Sequence, residues 1–156
     1  MSAMEPLIRL LDVNVALFSQ EEIQLLDALF FSYLCAELKE TFRRSYHDYF
    51  RLMKFTQEKE DAMLETNFAR LLIQDILSTE EYTLTGIAYY TNTHADVIDE
   101  VMIGRNTSPS ALFFRKIVEL HCSVRRDLYR SILKKITVLS LQCETSTYDD
   151  AFLRGG

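Results

Sequence analysis

Glycine and proline are scarce, four and two in 156 residues, and two of the glycines are the last two residues. A chain this poor in turn formers is unsuited to many short strands and favours long helices with few connections. Tryptophan is absent; ten Phe and eight Tyr supply the bulky packing groups instead. Cys35, Cys122 and Cys143 are odd in number, widely spaced and form no CxxC pair, which argues against a disulfide framework and for free thiols in a reducing compartment. No basic-then-apolar leader and no apolar run of bilayer-spanning length is found, so a cytoplasmic protein with no membrane partner is expected. Phosphate-cradling glycine loops, GxSxG and HExxH are missing as well. The expectation is therefore a non-enzyme with no catalytic residues, no metal and no cofactor.

What is present is apolar material and unevenly placed charge. Nearly half of the residues are hydrophobic, enough to bury the core of one compact domain or of a small module with a helical arm. The formal net charge is -6, yet residues 57–100 carry ten acidic and two basic side chains, whereas residues 101–135 carry eight basic and two acidic ones. That asymmetry allows one positive face on an acidic protein, although two solvated helix faces are the simpler and favoured explanation.

Apolar residues recur at three- and four-residue spacing through most of the chain. Met4 to Phe18 reads as a short amphipathic helix, and Ser19 followed by Glu22 is a capping-box signature. Ser19 to Phe55 contains no Gly or Pro, which predicts one long helix or two with a subtle kink. Its first half is apolar on more than one face and needs more than one neighbour, either a partner subunit or the chain's own last helix. A further helix is expected over Gln57 to Leu77, and a long closing helix over Ser123 to Gln142. The fold class is thus all-α, a multi-helix bundle divided into a helical arm over 1–56 that offers a dimerisation element, a bundle over 57–144 and a flexible tail over 145–156. The tail ends Leu153-Arg154-Gly155-Gly156 like a ubiquitin-like modifier, but on a helical chain it reads as a frayed end.

Residues 83–104 carry the most specific signal. Thr83 is placed to cap a short helix in which Ile87 and Ala88 face inward, the small alanine permitting close helix crossing. Asn92 occupies a tight turn that wants a left-handed backbone, which Asn tolerates better than most residues. A second helix follows with Val97, Ile98 and Val101 inward and Gly104 as its C-cap, and Ser108-Pro109 is set to open a third. The order Tyr82-Thr83, Ile87-Ala88, Asn92-Thr93-His94, Ile98, Gly104, Pro109-Ser110, Lys116-Ile117 resembles the phage-repressor (Cro/Xre-type) helix-turn-helix family over about Phe68 to Leu120.

The resemblance implies a DNA-binding transcriptional regulator that acts as a homodimer on double-stranded DNA, its two reading helices matching two half-sites. It assigns base reading to His94, Ala95, Asp96, Asp99 and Glu100, and backbone contact to Thr83, Thr85, Arg105 and Asn106, with Arg125 and Arg126 gripping the flanks. Two positions depart from the family pattern: Asn92 stands where glycine is usual, and the reading helix is acidic. Carboxylates accept hydrogen bonds from cytosine, but DNA affinity rests mainly on cations. The alternative is a helical protein–protein interaction module, an adaptor, chaperone-like protein or anti-regulator, that turns the same acidic surface to a basic protein partner. Two other groupings carry weaker signals. His121-Cys122 is tempting as a metal or nucleophile pair but lacks a second ligand pair and reads as structural. Arg43-Arg44 with Tyr46, Tyr49 and Arg51 mixes cations and aromatics as nucleic-acid grooves do but reads as the solvated basic edge of an amphipathic helix.

Overall fold

A computed structural model describes residues 14–136, and every regular element among them is helical. A 3₁₀ turn at Val15–Leu17 precedes α1 (Gln20–Ser45), α2 (His47–Leu52), α3 (Gln57–Ser78), α4 (Leu84–Tyr90), α5 (Ala95–Met102) and α6 (Ala111–Val124). Among the described residues a further helix, α7, covers 126–136. The all-α class holds. Of the helix expected over Met4 to Phe18, the described part forms only the 3₁₀ turn; the rest of it, the end of the closing helix and the tail lie outside the described residues. Among the described residues no helix is long and apolar enough to cross a membrane.

The helix boundaries follow from identifiable caps. The Glu22 amide donates to the Ser19 hydroxyl at 3.2 Å, so Ser19 starts α1 as the capping motif requires. Thr56 does the same for α3 through the Lys59 amide at 3.3 Å. The apolar run from Ser19 to Phe55 is two helices: the backbone departs from helical geometry at Tyr46 (φ -98°, ψ 12°) and resumes as α2. The expected closing helix begins later than its apolar pattern suggests. Arg125 (φ -122°, ψ 48°) ends α6, so Ser123 belongs to α6 and the next helix starts at 126. The helix expected to open at Ser108-Pro109 opens at Ser110, whose hydroxyl accepts from the Phe113 amide at 3.2 Å. The Ser108 amide is engaged instead by the Asn106 side chain at 3.2 Å, which leaves Pro109 ahead of the cap rather than inside the helix.

Contacts divide the chain into two compact units, Met1–Glu37 with Asp127–Gly156, and Leu38–Arg126. In the first unit Phe30 and Leu34 of α1 and Tyr129 and Ile132 of α7 are buried, and Lys135 pairs with Glu37 at 2.9 Å. Leu25, Leu29 and Tyr33, four residues apart on α1, are exposed. In the second unit α3 packs on α6 and α5, and α4 packs on α5 and α6. Leu72, Ile73, Ile76, Ile87, Ile98, Ile117 and Leu120 are almost completely excluded from solvent there. Each such side chain contributes about 1.5–3 kcal/mol by its burial, so these short helices are held by packing rather than by propensity. Phe42 meets Phe68 edge-on, and Arg43 joins α1 to α3 through Glu60 at 2.8 Å and through Asp61.

Candidate functional site

The segment from Thr83 to Asn106 is built around buried positions that fix two short helices on α3 and α6. Thr83 caps α4 by accepting from the Gly86 amide at 3.1 Å. Ile87 and Ala88 face the core, and Thr91 is buried with its hydroxyl donating to the Ile87 carbonyl at 2.8 Å. That bond satisfies a polar group which would otherwise cost about 1–3 kcal/mol to bury. Asn92 then takes φ 50°, the left-handed backbone read from its sequence position. The turn closes as the Thr93 amide reaches back to the Ala88 carbonyl at 3.0 Å.

His94 stands at the N-cap of α5 with no side-chain capping bond. Ile98 and Val101 point inward and anchor the helix. Gly104, at φ 79°, lets the chain leave the helix while the Arg105 and Asn106 amides return to the Glu100 carbonyl at 2.9 and 3.1 Å. Lys116 of α6 lies 3.5 Å from the Thr91 carbonyl and braces the turn from behind.

With the inward face occupied by aliphatics, α5 presents His94, Ala95, Asp96, Asp99 and Glu100 to solvent. All five residues assigned to base reading are therefore exposed on or beside one short helix. Exposed Thr85 lies in the first turn of α4, exposed Arg105 follows α5, and Asn106 is half-buried with its side chain committed to Ser108. Thr83 is exposed and its hydroxyl already serves as a cap. Ile103 (60% exposed) follows α5, and Tyr89 (89% exposed) stands near the end of α4. The outward surface of α5 is thus acidic, with apolar groups on the neighbouring segments.

Of the eight cations in residues 101–135, Arg115, Lys116, Arg125, Arg130 and Lys135 are engaged by other groups, and Arg105, Arg126 and Lys134 are exposed. Arg115 lies 3.7 Å from Glu119, Lys116 braces the Thr91 carbonyl, and Lys135 pairs with Glu37 in the other unit. Arg125 is the most firmly held. Its Nε and Nη2 donate to the two oxygens of Asp75 at 3.0 and 2.9 Å, and Nη2 also reaches the Ser78 hydroxyl at 3.1 Å. A bidentate guanidinium–carboxylate pair of this kind is a strong charge-assisted contact. Arg126, by contrast, is exposed.

Asp75 also lies 2.6 Å from Nε2 of His121, which is completely buried at the α3–α6 contact. Burial works against the charge of Asp75, but hydrogen bonds from Arg125 and His121 outweigh it and hold the carboxyl below its ordinary value. Burial pushes the His121 imidazole below its ordinary value despite the carboxylate beside it, so the neutral ring donates Nε2–H to Asp75. Burial also raises the adjacent Cys122 thiol, ahead of an opposing effect from Arg126. The pair that looked like metal or nucleophile chemistry is, on the histidine side, a clamp joining α3 to the end of α6. No short motif announces it, because Asp75 and Arg125 are 50 residues apart. A cleft of about 280 Å³ opens beside it between Phe42, Tyr46, Leu71, Gln74 and Asp75.

Comparison with protein-family models, curated proteins and solved structures finds no match to this chain.

Proposed function

We propose that this chain is a protein-recognition module that keeps a helix-turn-helix shape and binds a basic surface of another protein through α5. The observation that carries this reading is the solvent face of α5, where Asp96, Asp99 and Glu100 are all exposed and the helix contains no Lys or Arg. Against DNA these carboxylates oppose a dense row of phosphates, and affinity there comes from cations displacing counterions. Against a cationic protein face they steer encounter and select the partner. Exposed Ile103 supplies an apolar anchor beside them. In this role the module is an adaptor or an anti-regulator, the latter if the basic partner surface is itself a DNA-binding face.

A second reading, a dimeric DNA-binding regulator with the 1–56 arm as its dimerising element, draws on a specific observation. Asn92 and Gly104 both adopt the left-handed backbone that a compact helix–turn–helix needs, and Arg105 and Arg126 remain exposed. The two readings separate under charge reversal. Capture of one identified partner with a basic face, lost in Asp96→Lys with Asp99→Lys, is the outcome expected for protein recognition. Duplex binding by the wild type, with log affinity falling as log salt rises, is the outcome that would favour DNA instead.

A further inference from the structure

The end of α1 and the short helix α2 form a second charged surface, of the opposite sign. Arg44, Arg51 and Lys54 are all exposed, and among the described residues none of the three makes an ion pair. Asp48 is the one acidic residue between 44 and 54. The neighbouring Arg43, which the sequence presents as half of a basic pair, is spent on Glu40, Glu60 and Asp61 and adds nothing outward. A local excess of unpaired cations on a chain of net charge -6 is a distinct electrostatic feature.

Apolar groups protrude from the same corner. Leu52 is 80% exposed and Met53 about half exposed, at the point where the chain turns through Lys54 in a left-handed conformation (φ 55°). The corner beneath them is rigid. Phe50 is buried and stacks on Phe55 with ring centroids 5.7 Å apart, while Tyr49 sets its ring against both at 6.0 Å. The Phe50 and Phe55 rings are thus spent on one another, while Tyr49 stays 45% exposed and Leu52 is the most open side chain of the corner.

We propose that this corner docks on an anionic lipid surface, with Leu52 and Met53 entering the headgroup boundary and Arg44, Arg51 and Lys54 contacting the anionic headgroups. Charge complementarity selects an anionic partner, and the protruding groups decide which one. Single-stranded nucleic acid is gripped by open aromatic faces on which bases stack. Here the most open group is Leu52, with Met53 and a single partly exposed ring, Tyr49, beside it; an aliphatic tip with one tyrosine suits the headgroup–acyl boundary better than a run of stacked bases. Such a contact lies on the membrane rather than across it, and it is weak and salt-sensitive because few cations and two side chains supply it.

Vesicle co-sedimentation of the full chain at low salt tests the proposal, using phosphatidylcholine alone and phosphatidylcholine with about one third phosphatidylserine. Binding is expected to the mixed vesicles and not to the neutral ones. Each cation near an anionic surface is worth about fivefold in partitioning, so Arg44→Gln with Arg51→Gln should lower it about 25-fold. Leu52→Ser should lower it several-fold at every salt concentration. These positions are exposed, so unchanged circular dichroism and thermal midpoint are expected and confirm that the variants fold. No binding by the wild type, equal binding to neutral vesicles, or retention by the arginine variant would each overturn the proposal. So would single-stranded nucleic acid binding through the same arginines in the absence of vesicle binding.

Discussion

Replacing Asp75 with alanine takes away the acceptor that His121 and Arg125 share, and its cost can be worked out from their surroundings. His121 is completely buried, so the loss of its carboxylate partner leaves a ring N–H without that acceptor, a change of about 1–3 kcal/mol. Arg125 has 40% of its side chain in solvent and can rehydrate, so its share is discounted to about 1 kcal/mol or less. The sum is about 1–4 kcal/mol, and at roughly 2–4 °C per kcal/mol for a chain of this size the melting midpoint should fall by about 2–16 °C at pH 7. The pH dependence has a defined sign. His121 is held below its ordinary value, so the unfolded chain binds more protons than the folded one as pH falls below about 6.5, and stability declines from there. Asp75 is also depressed, so its contribution is present above about 3.9 and is lost as pH falls further. Thermal unfolding of wild type and Asp75→Ala from pH 7.5 to about pH 2 checks both statements. A variant with an unchanged midpoint at pH 7 would refute the clamp, and a wild type equally stable at pH 7.5 and pH 5 would refute the depression of His121 by burial.

The two glycines of the α4–α5 segment should respond in opposite directions. A Cβ on Gly86 would meet only ordinary contacts, 3.5 Å from the Thr83 hydroxyl and 3.6 Å from the Tyr82 ring, so Gly86→Ala should stabilise by about 0.5–1 kcal/mol in urea denaturation. Gly104 has open space around it but sits at φ 79°, so Gly104→Ala should cost about 1–2 kcal/mol. Ile98 is almost wholly buried beneath the acidic face, and Ile98→Ala should cost about 2–5 kcal/mol, whereas Asp99→Asn on the exposed side should leave the urea midpoint nearly unchanged. Cys122 should react with a thiol reagent at pH 7 more slowly in the folded protein than in urea, because burial keeps its thiol protonated.

Local signals carried much of this architecture in the sequence. Ser19 and Thr83 cap the helices they precede, and Asn92 and Gly104 adopt the left-handed backbone their positions required, because each of these effects is decided within three or four residues. Features decided over longer distances were not legible. The break at Tyr46 lies inside an unbroken apolar pattern that contains no glycine or proline. Arg125 looked like a cation available for a phosphate, yet its partner stands 50 residues earlier on α3. Arg43 and Arg44 are adjacent in sequence but opposite in use, one bonded to the carboxylates of α3 and the other exposed. The cap expected at Ser108 is supplied two residues later by Ser110, whose hydroxyl accepts from the Phe113 amide.

The face of α5 is the centre of the functional account, and titration of a labelled random-sequence duplex at low salt, followed by fluorescence anisotropy, tests it most directly. The account predicts no saturable binding by the wild type, because Asp96, Asp99 and Glu100 face outward and Arg125, which was expected to grip the flank, is paired with Asp75. Saturable binding whose logarithm falls with log salt at a slope of about -2 or steeper, as Arg105 and Arg126 gripping phosphates would give, would contradict it.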